Sequence, residues 1–234
     1  VTPLGILVDQ LHQNYADLPT HEMLKVVLAN PEIGNTVIVS SFGTESAVLL
    51  HLVAQVRDDL PIIMVDTGKL FGETVRYRDQ LKKQLSLKDV RIAIPDAEEL
   101  QKADPNGVLW SQDIDACCDI RKVKPLAKIL NGADSWISGR KSFQANTRAQ
   151  LQIFETDGDR LKINPLAKWS KADLERYFAL HDLPRHPLEA DGYLSIGCMP
   201  CTSPVREGED ARAGRWRGTE KLECGIHRDT NYVI

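Results

Sequence analysis

No apolar run in the 234 residues approaches the ~20 that cross a bilayer, so no membrane-spanning helix and no membrane partner are predicted. The amino end, Val-Thr-Pro-Leu-Gly-Ile-Leu-Val, has no basic stretch ahead of its apolar residues and reads as no signal peptide. It also lacks a Met, which leaves a trimmed start and a lost targeting segment open. Basic excess is missing too. With 29 Lys and Arg against 33 Asp and Glu, the net charge of -4 argues against a general nucleic-acid binder. It says nothing against a local anion site, because local fields decide that. Cysteine is scarce and odd in number, five in all. Without a secretory signal this predicts a reducing compartment, the cytosol, and metal or thiol chemistry in place of structural disulfides. No internal repeat and no low-complexity tract is present.

What is there is the pattern of one sizeable α/β core. Hydrophobic residues make up 42% and charged residues 26%, ordinary for a soluble globular chain. Residues 1 to 30 predict a helix pair. Thr36–Ser40 is a β-branched run that reads as a buried parallel strand. It feeds Ser41-Phe42-Gly43-Thr44-Glu45-Ser46 and then an apolar helix, Ala47 to Val56. Strand, small-residue loop and helix start make an anion cradle, since free N–H groups and the helix dipole face one point. No Gly-Lys-Ser/Thr follows, so this is not a Walker loop. Taken alone, such a turn is most often a turn and cap. A second unit repeats the plan: strand Leu60–Val65, loop Asp66-Thr67-Gly68, helix Glu73–Leu85. Val90–Ile94 is a third strand and Ser135–Ser138 a fourth. Strands alternating with helices predict a doubly wound, mostly parallel sheet with ligands at the carboxyl-end loops. The loop Gly139–Arg148 carries three cations. Leu151–Phe154 and Leu161–Ile163 predict a β-hairpin turning at Thr156–Asp159. Ser170–Asp173 is a capping box opening a helix with Leu174, Tyr177 and Phe178 on one face. From Pro184 onward Pro, Gly and charged residues dominate. The domain reading is a single unit over 1–203 and an irregular, mobile tail over 204–234.

The cysteines divide into four plus one. Cys117 and Cys118 are adjacent, with Arg121 and Lys122 one helical turn on; Cys198 and Cys201 form Cys-x-x-Cys. That spacing alone allows half a zinc site, a redox dithiol or half an iron–sulfur site. Adjacent cysteines are uncommon as zinc ligands, while four sulfurs are what a [4Fe–4S] cluster needs; zinc and buried free thiols stay open. Cys224 stands apart in Glu-Cys-Gly-Ile-His. Arg212, Arg215, Arg217, Lys221, His227 and Arg228 lie close in sequence and would favour its thiolate, while Glu223 works against them. The bland alternative is an unremarkable exposed cysteine.

Six motifs stand in order. They are Ser-Phe-Gly-Thr-Glu-Ser at 41–46, Asp-Thr-Gly-x-x-Phe-x-Glu-Thr at 66–74, Cys-Cys-x-x-Arg-Lys-Val-x-Pro at 117–125, Cys-x-x-Cys at 198–201, Gly-Glu-Asp-x-Arg-x-Gly-Arg-Trp at 208–216 and Glu-Cys-Gly-Ile-His at 223–227. Each is weak alone and the set is specific. From about residue 36 to His227 the chain resembles the assimilatory adenylylsulfate/phosphoadenylylsulfate reductases. The resemblance implies an adenine-nucleotide α-hydrolase-like fold and a [4Fe–4S] cluster on Cys117, Cys118, Cys198 and Cys201. It implies that Cys224 attacks the sulfate sulfur of adenylylsulfate and expels AMP, with thioredoxin (or glutaredoxin) then releasing sulfite. Lys122 would stand between cluster and substrate, and His227 would belong to the catalytic set. Substrate contacts would come from Ser41, Phe42, Gly43, Thr44, Glu45, Ser46, Asp66, Thr67, Gly68, Arg121, Lys141, Gln144, Arg148 and Arg215. A homo-oligomer is expected.

One loop departs from the family pattern Gly-x-Arg-Arg-x-Gln-Ser-x-x-Arg. Lys141 and Ser142 replace the two arginines and Ala145 the serine, while Gln144 and Arg148 remain. Losing planar bidentate donors changes phosphate geometry, and Arg140 is the candidate to compensate. The resemblance implies adenylylsulfate as substrate, since family members with the paired cysteines generally take it, and leaves use of the 3′-phosphorylated form open as well. Two other readings compete. An ATP-dependent adenylating or thiolating enzyme of this fold wants a Ser-Gly-Gly-x-Asp-Ser loop, where this chain has Phe42 and Glu45. A non-catalytic redox sensor leaves Cys224 and both nucleotide loops unexplained.

Overall fold

The computed structural model describes residues 2–144 and 148–227. Ala145 of the basic loop and Arg228 beside the last motif lie outside them. In chain order the elements are α1 (Pro3–Tyr15), α2 (Thr20–Leu28), β1 (Thr36–Val39), α3 (Ser46–Ala54), β2 (Ile62–Val65), α4 (Gly72–Gln84), β3 (Val90–Ala93), α5 (Ala97–Ala103), α6 (Leu109–Gln112), α7 (Ile114–Cys118), α8 (Lys124–Ile129), β4 (Ser135–Ser138), β5 (Phe154–Asp157), β6 (Arg160–Ile163) and α9 (Lys171–Leu180). The six strands form one sheet in the order β3-β2-β1-β4-β6-β5, parallel except for β5. This is the doubly wound, mostly parallel sheet the strand–helix alternation predicts.

The strand sequences explain why the sheet is covered on both faces. Alternate residues of a strand point to opposite sides. Ile38, Ile62, Met64 and Ile137 enter the larger core with Leu24, Val48, Leu81 and Phe178. Val37, Val39, Ile63 and Trp136 enter the smaller one with Leu126 and Leu130. Strands buried on both sides must be apolar throughout, hence the unbroken β-branched runs. The chain runs outward through β1, β2 and β3, then returns to start again at β4 beside β1. The strand order reverses there, and the loops leaving β1 and β4 part to form a crevice.

Three details differ from the sequence reading or sharpen it. The hairpin turns later than expected, because Asp157 pairs with Arg160 and only Gly158-Asp159 is left as the turn. Gly158, at φ +63°, takes the first turn position, which lets Thr156 and Asp157 stay in the strand. The helix carrying the double cysteine widens to π geometry over Asp119–Val123. The widening falls just before Pro125, which has no N–H to return to the Arg121 carbonyl. The segment after Pro204 does not hang free over its described length. Ser203 N donates to Gly214 O at 2.8 Å, Trp216 N donates to Cys201 O at 2.9 Å, and Trp216 is buried. Gly214 and Gly197 permit this closure, since a Cβ on the first would run into the Ser203 carbonyl and on the second into the Arg215 guanidinium. Among the described residues no helix is long and apolar enough to cross a membrane.

Candidate active site

Two adjoining cavities occupy the carboxyl edge of the sheet. The larger is walled by the loops leaving β1, β2 and β4, and is roofed by the segment from Ala211 to His227. From the first loop it takes Ser41, Gly43, Thr44, Glu45 and Ser46, and from the second Thr67. From the β4 loop come Arg140, Lys141, Gln144 and Arg148, and from the last segment Arg212, Arg215, Cys224 and His227. Lys122 also reaches it. Four of the expected substrate residues do not. Phe42 is fully buried, with its backbone left-handed at φ 49°. Asp66 accepts a hydrogen bond from Gly68 N at 2.9 Å, so that both residues shape the turn and neither lines the wall. Arg121 points the other way. Its Nη2 donates to Asp104 at 2.7 Å and its Nη1 to the Thr67 carbonyl at 2.7 Å.

The first loop, read as an anion cradle, ends in an uncapped helix start: Glu45 precedes α3 and makes no side-chain cap bond. Its carboxylate instead accepts from Lys141 Nζ at 2.6 Å and Gln144 Nε2 at 2.7 Å. Burial pushes the Lys141 ammonium down from its ordinary value, against the pull of Glu45. Arg140 Nη1 lies 3.5 Å from Glu155. Gln144 Oε1 in turn accepts from Arg148 Nη1 at 2.6 Å. Thr44 holds the far wall, donating to Leu194 O at 2.9 Å.

Cys224 is half-buried at the cavity. Its thiol is within electrostatic reach of Lys122, Arg212 and Arg215. Burial drives Arg212 down to about 10 and Arg215 in the same direction, the response of cations gathered in a poorly solvated space. Glu223, expected to oppose the thiolate, lines the same cavity with its carboxylate paired to Arg148 and Arg212. His227 stacks on Trp136 with ring centroids 5.6 Å apart and planes 5° from parallel. Burial first, then Lys162, Arg140, Arg148 and Arg212, holds its imidazole well below the ordinary value, so the ring is neutral at neutral pH.

The smaller cavity is lined by Cys117, Cys118, Cys198 and Cys201 together with Arg121, Lys122 and Trp216. All five cysteines are free thiols. Thr67 Oγ1 lies 3.2 Å from Cys198 Sγ. Burial pushes the Cys117 thiol up to about 11, and Cys118 and Cys201 shift the same way from the same first cause. Thiolates here therefore need a cationic group at the cavity. Among the described residues no group of three or more His, Cys, Asp or Glu side chains is arranged to hold a single metal ion. The four cysteines line one small space, and four thiolates, each on a different iron, are the donor set of a [4Fe–4S] cluster. Lys122 and Trp216 line both cavities and form the partition.

Sequence reasoning left Asp104, Trp136 and Asp115 out of the site. Asp104 anchors Arg121 across 17 positions, Trp136 carries His227, and Asp115 pairs with Lys221. None carries a local signal; each is defined by a partner distant in sequence.

Residues 35–204 match the family model described as the phosphoadenosine phosphosulfate reductase domain. The chain is 52% identical over 194 residues to the adenosine 5'-phosphosulfate reductase of Chelativorans sp. (strain BNC1), covering 83% of this chain and 79% of that protein. It is 52% identical over 189 residues to the protein of the same name from Mesorhizobium japonicum, covering 81% and 74%. Among solved structures it resembles the phosphoadenylyl-sulfate (PAPS) reductase of Candida auris, in a phosphate complex. The TM-score is 0.71 at 23% identity, over 88% of this chain and 99% of that one, a likeness of fold.

Proposed function

The chain belongs to the phosphoadenosine phosphosulfate reductase family, and we propose that it reduces adenylylsulfate to sulfite and AMP through Cys224. The observation that carries this reading is one cavity lined by a single accessible thiol, by Lys122, Arg212 and Arg215, and by the nucleotide-type loop at 41–46. Cations around a thiol favour the thiolate, and the same cations stabilise a leaving phosphate. The Cys224 thiolate attacks the sulfate sulfur, forming an S–S bond as the S–O bond to the phosphate breaks. The electron pair leaves with AMP, and the enzyme carries S-sulfocysteine. A dithiol donor of the thioredoxin or glutaredoxin class then attacks Cys224 Sγ and expels sulfite. Its second thiol resolves the mixed disulfide, so the donor is oxidised and the Cys224 thiolate returns.

Lys122 binds the sulfate side from the partition, and Arg215 the phosphate. Ser41, Gly43 and Ser46 offer hydroxyl and backbone donors at the start of α3. His227, neutral, closes the cavity over Trp136 and keeps water from the thiolate. Cys117, Cys118, Cys198 and Cys201 would hold a [4Fe–4S] cluster, which with its four thiolates would be an anionic group tuning the electrostatics behind Lys122. The protein acts in assimilatory sulfate reduction in the cytoplasm, as a homo-oligomer.

Intact mass after anaerobic incubation with adenylylsulfate, without a dithiol donor, tests the reading. A gain of one SO3 mapped to Cys224, absent in Cys224→Ser and released as sulfite by thioredoxin, is the expected result. No adduct in protein with its full iron and sulfide complement overturns it. Running the 3′-phosphorylated nucleotide alongside names the preferred substrate, expected to be adenylylsulfate.

A further inference from the structure

The residue before the nucleophile, Glu223, is anchored by three charge-assisted hydrogen bonds. Arg148 Nε donates to Glu223 Oε1 at 2.7 Å and Arg148 Nη2 to Oε2 at 2.9 Å, a two-pronged fork on one carboxylate. Arg212 Nη2 adds a bond to Oε2 at 3.1 Å and another to the Leu222 carbonyl at 2.8 Å. The three side chains are 7%, 15% and 22% exposed for Arg148, Arg212 and Glu223. Paired charges sheltered to this degree hold their geometry far better than ion pairs in open water. Burial alone would push the Glu223 carboxyl up, but Arg148, Arg212 and Arg140 pull it below the usual carboxylate range, so it stays charged.

The clamp does not end at Arg148. Arg148 Nη1 donates to Gln144, Gln144 donates to Glu45, and Glu45 also takes Lys141. A continuous line of polar contacts thus joins the loop that opens α3 to the backbone next to Cys224. Networks of this kind rigidify what they connect. Consecutive Cα atoms are only ~3.8 Å apart, so fixing residue 223 fixes the thiol's approach to the cavity within one peptide.

We infer that Glu223 is a positioning residue: its carboxylate, held by Arg148 and Arg212, sets the Cys224 thiol in attacking position over the nucleotide cavity. This rests on the proposed reaction at Cys224 and adds the group that aims the nucleophile. Arg148, expected on the substrate anion, serves the nucleophile's own segment. Glu223 and Cys224 therefore act as a pair, with one residue for placement and the next for chemistry.

The test uses the iron-loaded protein, anaerobic throughout, with Glu223→Gln and Glu223→Asp beside the parent. Without nucleotide, backbone amide exchange over residues 219–226 rises about 10-fold or more in Glu223→Gln, as expected where a clamp opens. At saturating adenylylsulfate the single-turnover rate of Cys224 S-sulfonation falls by about 10- to 100-fold, the cost of a nucleophile displaced by about 1 Å. Equilibrium binding of adenylylsulfate, measured in a Cys224→Ser background, changes by less than about 3-fold, because uniform binding is not what the clamp supplies. Glu223→Asp, which keeps the charge, recovers part of the rate. Glu223→Gln with Arg148→Gln is no slower than the worse single variant, since both remove one clamp. Tighter nucleotide binding in Glu223→Gln with an unchanged labelling rate would make Glu223 only an anion that competes with substrate and overturns the inference. So does unchanged amide exchange. Failure of the parent protein to form any adduct overturns the proposed reaction instead, and the clamp is then judged by exchange alone.

Discussion

Asp104 and Arg121 meet with side chains 2% and 7% exposed, and the pair stands directly behind the cysteine cavity. Burial would raise the Asp104 carboxyl, but Arg121 and the Leu109 N–H bring it below its ordinary value. Removing one partner of such a pair leaves the other charge buried and unpaired, which costs about 3–5 kcal/mol. Asp104→Ala should lose stability of that order in chemical denaturation. Asp104→Leu with Arg121→Met should recover much of it, because no lone charge remains. A single variant as stable as the parent would place the burden elsewhere. The adjacent residue does something different: Lys122 faces the partition between the two cavities. Successive residues of a helix point in different directions, so one pair of basic residues serves two tasks. The resemblance set both residues near the substrate, and only the side-chain directions separate them.

At the scale of elements, α4 is tied to the segment before the last cysteines through His186. Its Nε2 lies 3.0 Å from Thr74 Oγ1 and its Nδ1 accepts from Leu188 N at 3.2 Å, so the bonded ring is the neutral tautomer with its proton on Nε2. Burial pushes His186 down to about 4 from 6.5. Between those values the unfolded chain takes up a proton that the folded chain refuses. Stability is therefore fully present above about 6.5 and falls as pH drops towards about 4, by up to roughly 3 kcal/mol. Denaturation midpoints of the parent and His186→Asn, compared across that window, should converge as pH falls; parallel curves would remove His186 as the cause. The elements themselves differed in how openly they declared their ends. β1 and β2 are β-branched or apolar runs because both faces are buried, β4 buries Ser135 and Ser138 by bonding them to Thr36 and Asn164, and Ser170 with Asp173 forms the expected reciprocal cap of α9. The hairpin turn falls at Gly158-Asp159, two residues after local polarity would start it, since the position of a tight turn follows the φ of Gly158.

Across the whole molecule, the four clustered cysteines come from two segments some 80 residues apart that meet on the loop after β2, where Arg121 Nη1 donates to Thr67 O at 2.7 Å and Met199 N to Lys69 O at 2.8 Å. If an iron–sulfur cluster holds them, its binding free energy is also folding energy for those segments. Anaerobic chelation of iron from the loaded protein should speed amide exchange over 114–123 and 196–203, and through Trp216 over 214–217, while the core strands stay protected. Unchanged exchange at those segments would argue that the thiols are held without iron.

The residues alone determined the alternating α/β plan, the loops at the carboxyl edge, the division of the cysteines and the family resemblance. All of these rest on local spacing: β-branched runs alternating with helical segments, capping chemistry and short motifs. Tertiary structure decided that residues after Pro204 close over the site, that Arg121 turns to Asp104, and that Arg148 holds Glu223. It also drew Trp136 under His227. These are contacts between residues from 11 to 91 positions apart, each fixed by how the folded chain packs. No local pattern encodes that choice, because the energy of a buried charge or stacked ring depends on what the rest of the chain sets beside it.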